Sequence, residues 1–109
     1  MIETSTTYVF ANDMERLLRQ DSSVTLIDAR TPEEFAAGHV PDAINVPIAE
    51  LDDYAKRHRN MPAGIVTTMC GSTGRGEKAS TILLSHGIAN VQVMKGGLKA
   101  WREAGFLVA

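Results

Sequence analysis

Short β-type runs alternate with helix-spaced stretches along this whole chain, and that alternation leaves few folds open. The runs are Tyr8 to Phe10, Val24 to Asp28 (VTLID), Ile44 to Val46, Gly64 to Met69 (GIVTTM) and Val91 to Met94 (VQVM). Helical segments between consecutive strands act as crossovers, and crossovers join parallel neighbours. The pattern predicts an α/β domain with a largely parallel sheet. The strand VTLID is a β-branched apolar run of the kind buried on both faces. The strand at Ile44 can only be brief, because Pro41 and Pro47 flank it.

The helix boundaries have their own signals. Asn12 with Glu15 has capping-box spacing, and Met14, Leu17 and Leu18 mark one face of a first helix. Asp21-Ser22-Ser23 reads as a turn. Thr31 is a cap, Pro32 takes the first helical position, Glu34 completes a box and Gly38 stops the helix. Ile48, Leu51, Ala55 and His58 form one stripe of a helix running to about Arg59, broken by Asn60-Met61-Pro62. A helix from Glu77 to His86 carries Ala79, Ile82 and Leu83 on one face and ends at Gly87. After the turn at Lys95-Gly96-Gly97, a last helix from Leu98 to Ala104 is closed by Gly105.

In parallel sheets, the loops at the strands' C-terminal ends build the site. One such loop holds the chain's only cysteine: GIVTTM leads into Cys70-Gly71-Ser72-Thr73-Gly74-Arg75-Gly76 and then a helix. A strand-to-helix turn aims several backbone N–H groups at one spot, and the helix dipole favours an anion there. Gly71 and Gly74 permit the tight backbone of such a cradle. The anion would be the Cys70 thiolate or a group bonded to it, because a thiol at a helix N-terminus beside a fixed cation loses its proton readily. Arg75 is positioned to supply that cation and to grip a small oxyanion, with Ser72 and Thr73 adding hydroxyl donors. A lone cysteine is most often a small buried hydrophobe. Its place in a glycine-rich turn closed by arginine favours chemistry.

Composition excludes several alternatives. At 109 residues, 44% hydrophobic and 22% charged, the chain fits one domain over residues 1–109 with a modest core. A net charge of −2 without a basic run gives no reason to expect a nucleic-acid or membrane-surface partner. MIETSTTYVF lacks the pattern of a signal peptide and no apolar run reaches a membrane span, so the expected location is the cytoplasm. One cysteine cannot form an internal disulfide, and three scattered histidines without a carboxylate cluster argue against a metal site.

Several segments together resemble the rhodanese family in its single-domain form, over nearly the whole chain. They are Asp28-Ala29-Arg30, Glu34-Phe35, Gly38-His39-Val40-Pro41, Ala43-Ile44-Asn45-Val46-Pro47, the loop from Cys70 to Arg75, Gly96-Gly97, Trp101 and Gly105. The resemblance implies five strands with helices on both faces of the sheet. It also implies a sulfurtransferase acting as a monomer without a cofactor. Cys70 would take sulfur from thiosulfate or 3-mercaptopyruvate as a persulfide and pass it to cyanide, a small thiol or a protein thiol. The substrate-binding set would be Gly71, Ser72, Thr73, Gly74, Arg75 and Gly76. Thr73 stands where many active relatives have glycine, Gly71 where many have a basic residue, and Phe106-Leu107 replaces a common Leu-Pro.

Other polar residues have quieter readings. Arg30 is expected to pair with Asp28 or Glu34, the three serving as structural support, since a buried arginine needs carboxylate partners. His39 reads as a hydrogen-bonded hinge, His58 and His86 as partly buried helix residues, and Trp101 as a core anchor. Lys95 reads as a solvated lysine in preference to a second cation approaching the loop. Two rival functions remain. Cys-Arg phosphatases and arsenate reductases of similar architecture place one more residue between cysteine and arginine and usually a histidine before the cysteine. Here four residues intervene and Met69 precedes Cys70. A non-catalytic rhodanese-like binding module is the other rival, although inactive members often lack the cysteine.

Overall fold

The computed structural model describes residues 7–21, 23–58, 66–69 and 74–109. Among the described residues eleven elements follow one another: β1 (Tyr8–Val9), α1 (Ala11–Gln20), β2 (Thr25–Asp28), α2 (Pro32–Ala37), β3 (Ile44–Asn45), a 3₁₀ turn (Ile48–Glu50), α3 (Leu51–His58), β4 (Val66–Met69), α4 (Gly74–Ser85), β5 (Val91–Met94) and α5 (Gly97–Glu103). The five strands form one sheet in the order β1-β5-β4-β2-β3, and every pairing is parallel. Strand alternation with helices is therefore realised in full.

Because side chains alternate along a strand, the sheet has two cores. Leu26, Met69 and Met94 join Met14 of α1 and Leu98 and Trp101 of α5 on one face. Ile27, Val66 and Val91 join Leu51 and Ala55 of α3 and Ala79 and Leu83 of α4 on the other. Leu26 and Ile27 are neighbours that face opposite ways, and each is sealed from water. Burial of a side chain of that size contributes about 1.5–3 kcal/mol. Trp101 also finds a polar partner: its indole N–H donates to the Leu107 carbonyl at 2.8 Å.

Two helix starts differ by more than one residue from the sequence expectation. The Asn12–Glu15 box is not made: α1 begins at Ala11, with Phe10 as an N-cap lacking any side-chain bond. β1 runs directly into the helix, so the Phe10 carbonyl already accepts from Met14 N–H at 2.9 Å, and the Glu15 carboxylate accepts from Arg19 instead at 2.7 Å. α4 begins at Gly74 rather than Glu77, for a packing reason given below. The α2 signals hold, with Thr31 and Glu34 completing a reciprocal box and Pro32 at the first position. Arg59, the break at residues 60–62 and the start of the strand expected from Gly64 lie outside the described residues. No helix among the described residues is long and apolar enough to cross a membrane.

Candidate active site

The sheet has one point where successive connections diverge. From β2 the chain moves outward to β3, and from β4 it moves the other way to β5, while β2 and β4 lie side by side. Such a switch leaves a crevice at the carboxyl ends of the two strands. Their ends are held level: Asp28 is in register with Met69, and Ala29 N–H donates to the Met69 carbonyl at 2.9 Å. Cys70 follows Met69 directly in the chain. Cys70, Gly71, Ser72 and Thr73 lie outside the described residues, whereas Gly74, Arg75 and Gly76 are described and form the opening turn of α4.

Two glycines in that turn made a loop the natural sequence reading, since glycine is a weak helix former. Close packing explains the earlier start. A Cβ on Gly76 would lie 3.2 Å from Met69 Cα and 3.4 Å from Met69 C, so only glycine lets the helix lie this close on β4. Thr68 is buried one residue before Met69, and its hydroxyl donates to the Gly76 carbonyl at 2.7 Å. Gly76 is thus a packing residue between α4 and the strand that leads to Cys70. Gly74 is exposed and has open space around it.

After β2, the support is ionic and buried. Asp28 is sealed from solvent and Arg30 is only 5% exposed. Asp28 Oδ1 accepts from the Arg30 backbone N–H (3.1 Å) and from Nε (2.9 Å), and Oδ2 accepts from Nη2 at 2.6 Å. The same Nη2 donates to the Gly38 carbonyl at 2.8 Å, joining the two ends of α2. Asn45 on β3 donates to the carbonyls of Asp28 and Arg30, at 3.0 and 2.9 Å. Arg30 therefore braces the turn behind the crevice through Asp28, and Glu34 is not its partner.

Glu34 reaches across to Arg75 instead. Nη1 donates to Oε1 at 2.6 Å and Nη2 to Oε2 at 2.9 Å, a two-pronged ion pair. The Arg75 hydrogen bond, helped by the Thr31 N–H, pulls the Glu34 carboxyl from an ordinary 4.5 down to about 2. Sequence reading missed this pair, whose members are 41 residues apart. The available signal was topological: each residue stands in the first turn of a helix that follows one of two adjacent parallel strands.

On the other side of β4, Lys95 follows β5. Its Nζ sits 4.5 Å above the Tyr8 ring centre, and the Tyr8 hydroxyl donates to Glu77 in α4. The histidines are accounted for locally. His39 stacks on Phe35 at 3.7 Å and bonds its carbonyl through Nδ1, as a hinge would. His58 stacks on Tyr54, and His86 Nε2 lies 2.8 Å from Asp52. Among the described residues no group of His, Cys, Asp and Glu is disposed to hold a metal ion.

A family model for the rhodanese-like domain matches residues 10–104. The chain belongs to the rhodanese family. This rhodanese-like chain is 33% identical over 103 residues to an uncharacterized protein of Synechocystis; the match takes in 94% of the chain but only 56% of that relative. It is 30% identical over 105 residues to the thiosulfate:glutathione sulfurtransferase of Saccharomyces cerevisiae, covering 85% of this chain and 76% of that one. The crystal structure of a thiosulfate sulfurtransferase from Pseudomonas aeruginosa superposes with a TM-score of 0.84 at 27% identity, over 95% of this chain and 20% of that one. Relatives also include tRNA uridine(34) hydroxylases, so membership in the rhodanese family does not by itself name the reaction.

Proposed function

We propose that this protein is a sulfurtransferase that carries sulfane sulfur on Cys70. The observation that supports this most is positional: the chain's one cysteine follows directly on the central strand at the switch point of a rhodanese-family sheet. The similarity to thiosulfate-using relatives supports thiosulfate as donor, and 3-mercaptopyruvate is an alternative of the same thiol chemistry.

In the first half-reaction, the Cys70 thiolate attacks the outer sulfur of thiosulfate. A new S–S bond forms to Sγ, the S–S bond of thiosulfate breaks, and its electron pair leaves with sulfite. In the second, cyanide or a thiolate attacks the outer sulfur of the persulfide, and the Cys70 thiolate is released. Each step is a thiol-type displacement at sulfur, so neither needs a separate general base. Amides of the segment from Gly71 to Gly74, with the hydroxyls of Ser72 and Thr73, would stabilise first the thiolate and then the anionic terminal sulfur. Arg75 contributes a fixed guanidinium, oriented by Glu34, and Gly76 keeps α4 close enough to β4 for that arrangement.

The test is thiocyanate production from thiosulfate and cyanide. Ping-pong kinetics, lost in Cys70→Ser, are expected. A protein that produces no thiocyanate but hydrolyses an aryl phosphate would overturn the reading in favour of the phosphatase chemistry of related architecture.

A further inference from the structure

We propose that Lys95 is the residue that selects a small anionic sulfur donor, an inference that rests on the sulfur-transfer reading of the same site. Three observations lead to it. First, Lys95 is anchored just past the strand that lies beside β4, the strand whose last residue precedes Cys70 in the sequence. It follows Met94, the last residue of the strand next to β4, and its backbone N–H donates to the Val9 carbonyl at 2.8 Å. The β4–β5 register runs Val66 to Val91, Thr67 to Gln92 and Thr68 to Val93, so the two strands end side by side.

Second, the ammonium has a seat. It lies over the Tyr8 ring, a cation–π contact that orients the side chain without cancelling its charge. The Tyr8 hydroxyl in turn bonds Glu77 in the α4 turn that carries Arg75, which ties the seat to the helix of the site. No carboxylate of the described residues makes a salt bridge with Lys95. Third, the charge of Arg75 is matched by the two-pronged Glu34 contact, so its net pull on a dianion is reduced. Lys95 adds a second positive charge, one that no described carboxylate pairs directly.

A dianion such as thiosulfate gains more from that charge on approach than a singly charged thiolate acceptor does. Lys95→Met keeps the length and apolar stem of the side chain. It is expected to lower kcat/KM for thiosulfate by about fivefold, a screened charge effect, and to flatten its dependence on ionic strength. The value of kcat/KM for dithiothreitol, which attacks as a singly charged thiolate, should fall clearly less than that for thiosulfate, and Lys95→Arg should restore donor use. Lys99→Met, at an exposed position in the first turn of α5, is the control and should change donor use far less. Equal losses for thiosulfate and dithiothreitol, no loss in Lys95→Met, or an equal loss in Lys99→Met would overturn the assignment while leaving sulfur transfer standing. A wild-type protein that takes no sulfur from thiosulfate overturns both.

Discussion

Gly76→Ala sets two effects of known size against each other. In a helix, alanine is favoured over glycine by about 0.8–1 kcal/mol, so propensity alone predicts a more stable protein. Packing opposes it. The new methyl would meet Met69 Cα at 3.2 Å and both Met69 C and Val93 Cγ1 at 3.4 Å, whereas relaxed carbon contacts lie at about 3.5–4.0 Å. The nearest atoms are backbone of β4, which is hydrogen-bonded to β2 on one side and β5 on the other, so the strand cannot recede. The helix must shift by a few tenths of an ångström, and overpacking of this kind costs about 1–3 kcal/mol. The net effect is a destabilisation of about 0–2 kcal/mol, against a gain of about 0.8–1 kcal/mol where the methyl meets nothing. Gly74→Ala is the matched control, because its added methyl meets nothing within 4 Å. Urea denaturation followed by fluorescence of the single, buried Trp101 measures both variants. A Gly76→Ala protein as stable as Gly74→Ala would refute the close approach of α4 to β4 on which the site geometry rests.

Arg30→Ala should destabilise the protein by about 3–5 kcal/mol in the same assay, because it leaves the Asp28 carboxylate buried without its partner; a loss under 1 kcal/mol, roughly the worth of a surface pair, would contradict that role. The Glu34 carboxyl has a folded-state value of about 2 against an ordinary 4.5, so its contribution to stability is present above 4.5 and is lost as pH falls through about 2. With both partners about two-fifths exposed, solvent screening limits that contribution to below about 1 kcal/mol. Glu34→Gln should therefore be slightly less stable at neutral pH and show a flatter acid limb in urea titrations across that window; an unchanged limb would show that the pair does not couple to folding. Arg75→Ala leaves Glu34 uncompensated beside the site, and kcat/KM for thiosulfate should fall by about tenfold or more, the worth of a charge-assisted contact. Unaltered kinetics would place the guanidinium outside the donor's reach.

The fold was legible in the sequence because strand runs and helix stripes follow separate periodicities, and because Thr31, Pro32, Glu34, Gly38 and Gly87 act through local backbone chemistry. The Asp28–Arg30 brace was legible for the same reason, its members being two residues apart. Where local signals and tertiary contacts disagreed, the contacts won. Asn12 carries a capping side chain, but β1 delivers the chain into the helix two residues earlier, with Phe10 at the cap. Gly74 and Gly76 look like loop residues, yet the second is what lets α4 rest on β4. The Glu34–Arg75 pair has no local signature, since it exists only because β2 and β4 are neighbours. The Tyr8–Lys95 seat depends in the same way on β1 joining the sheet beside β5, far from its sequence neighbours.

Whether Cys70 carries sulfane sulfur is decided by intact-protein mass spectrometry after incubation with thiosulfate. Sulfur transfer through Cys70 should add the mass of one sulfur atom, located on Cys70 by fragmentation, removed by cyanide and absent from Cys70→Ser. A wild-type mass that does not change in the presence of thiosulfate would contradict it.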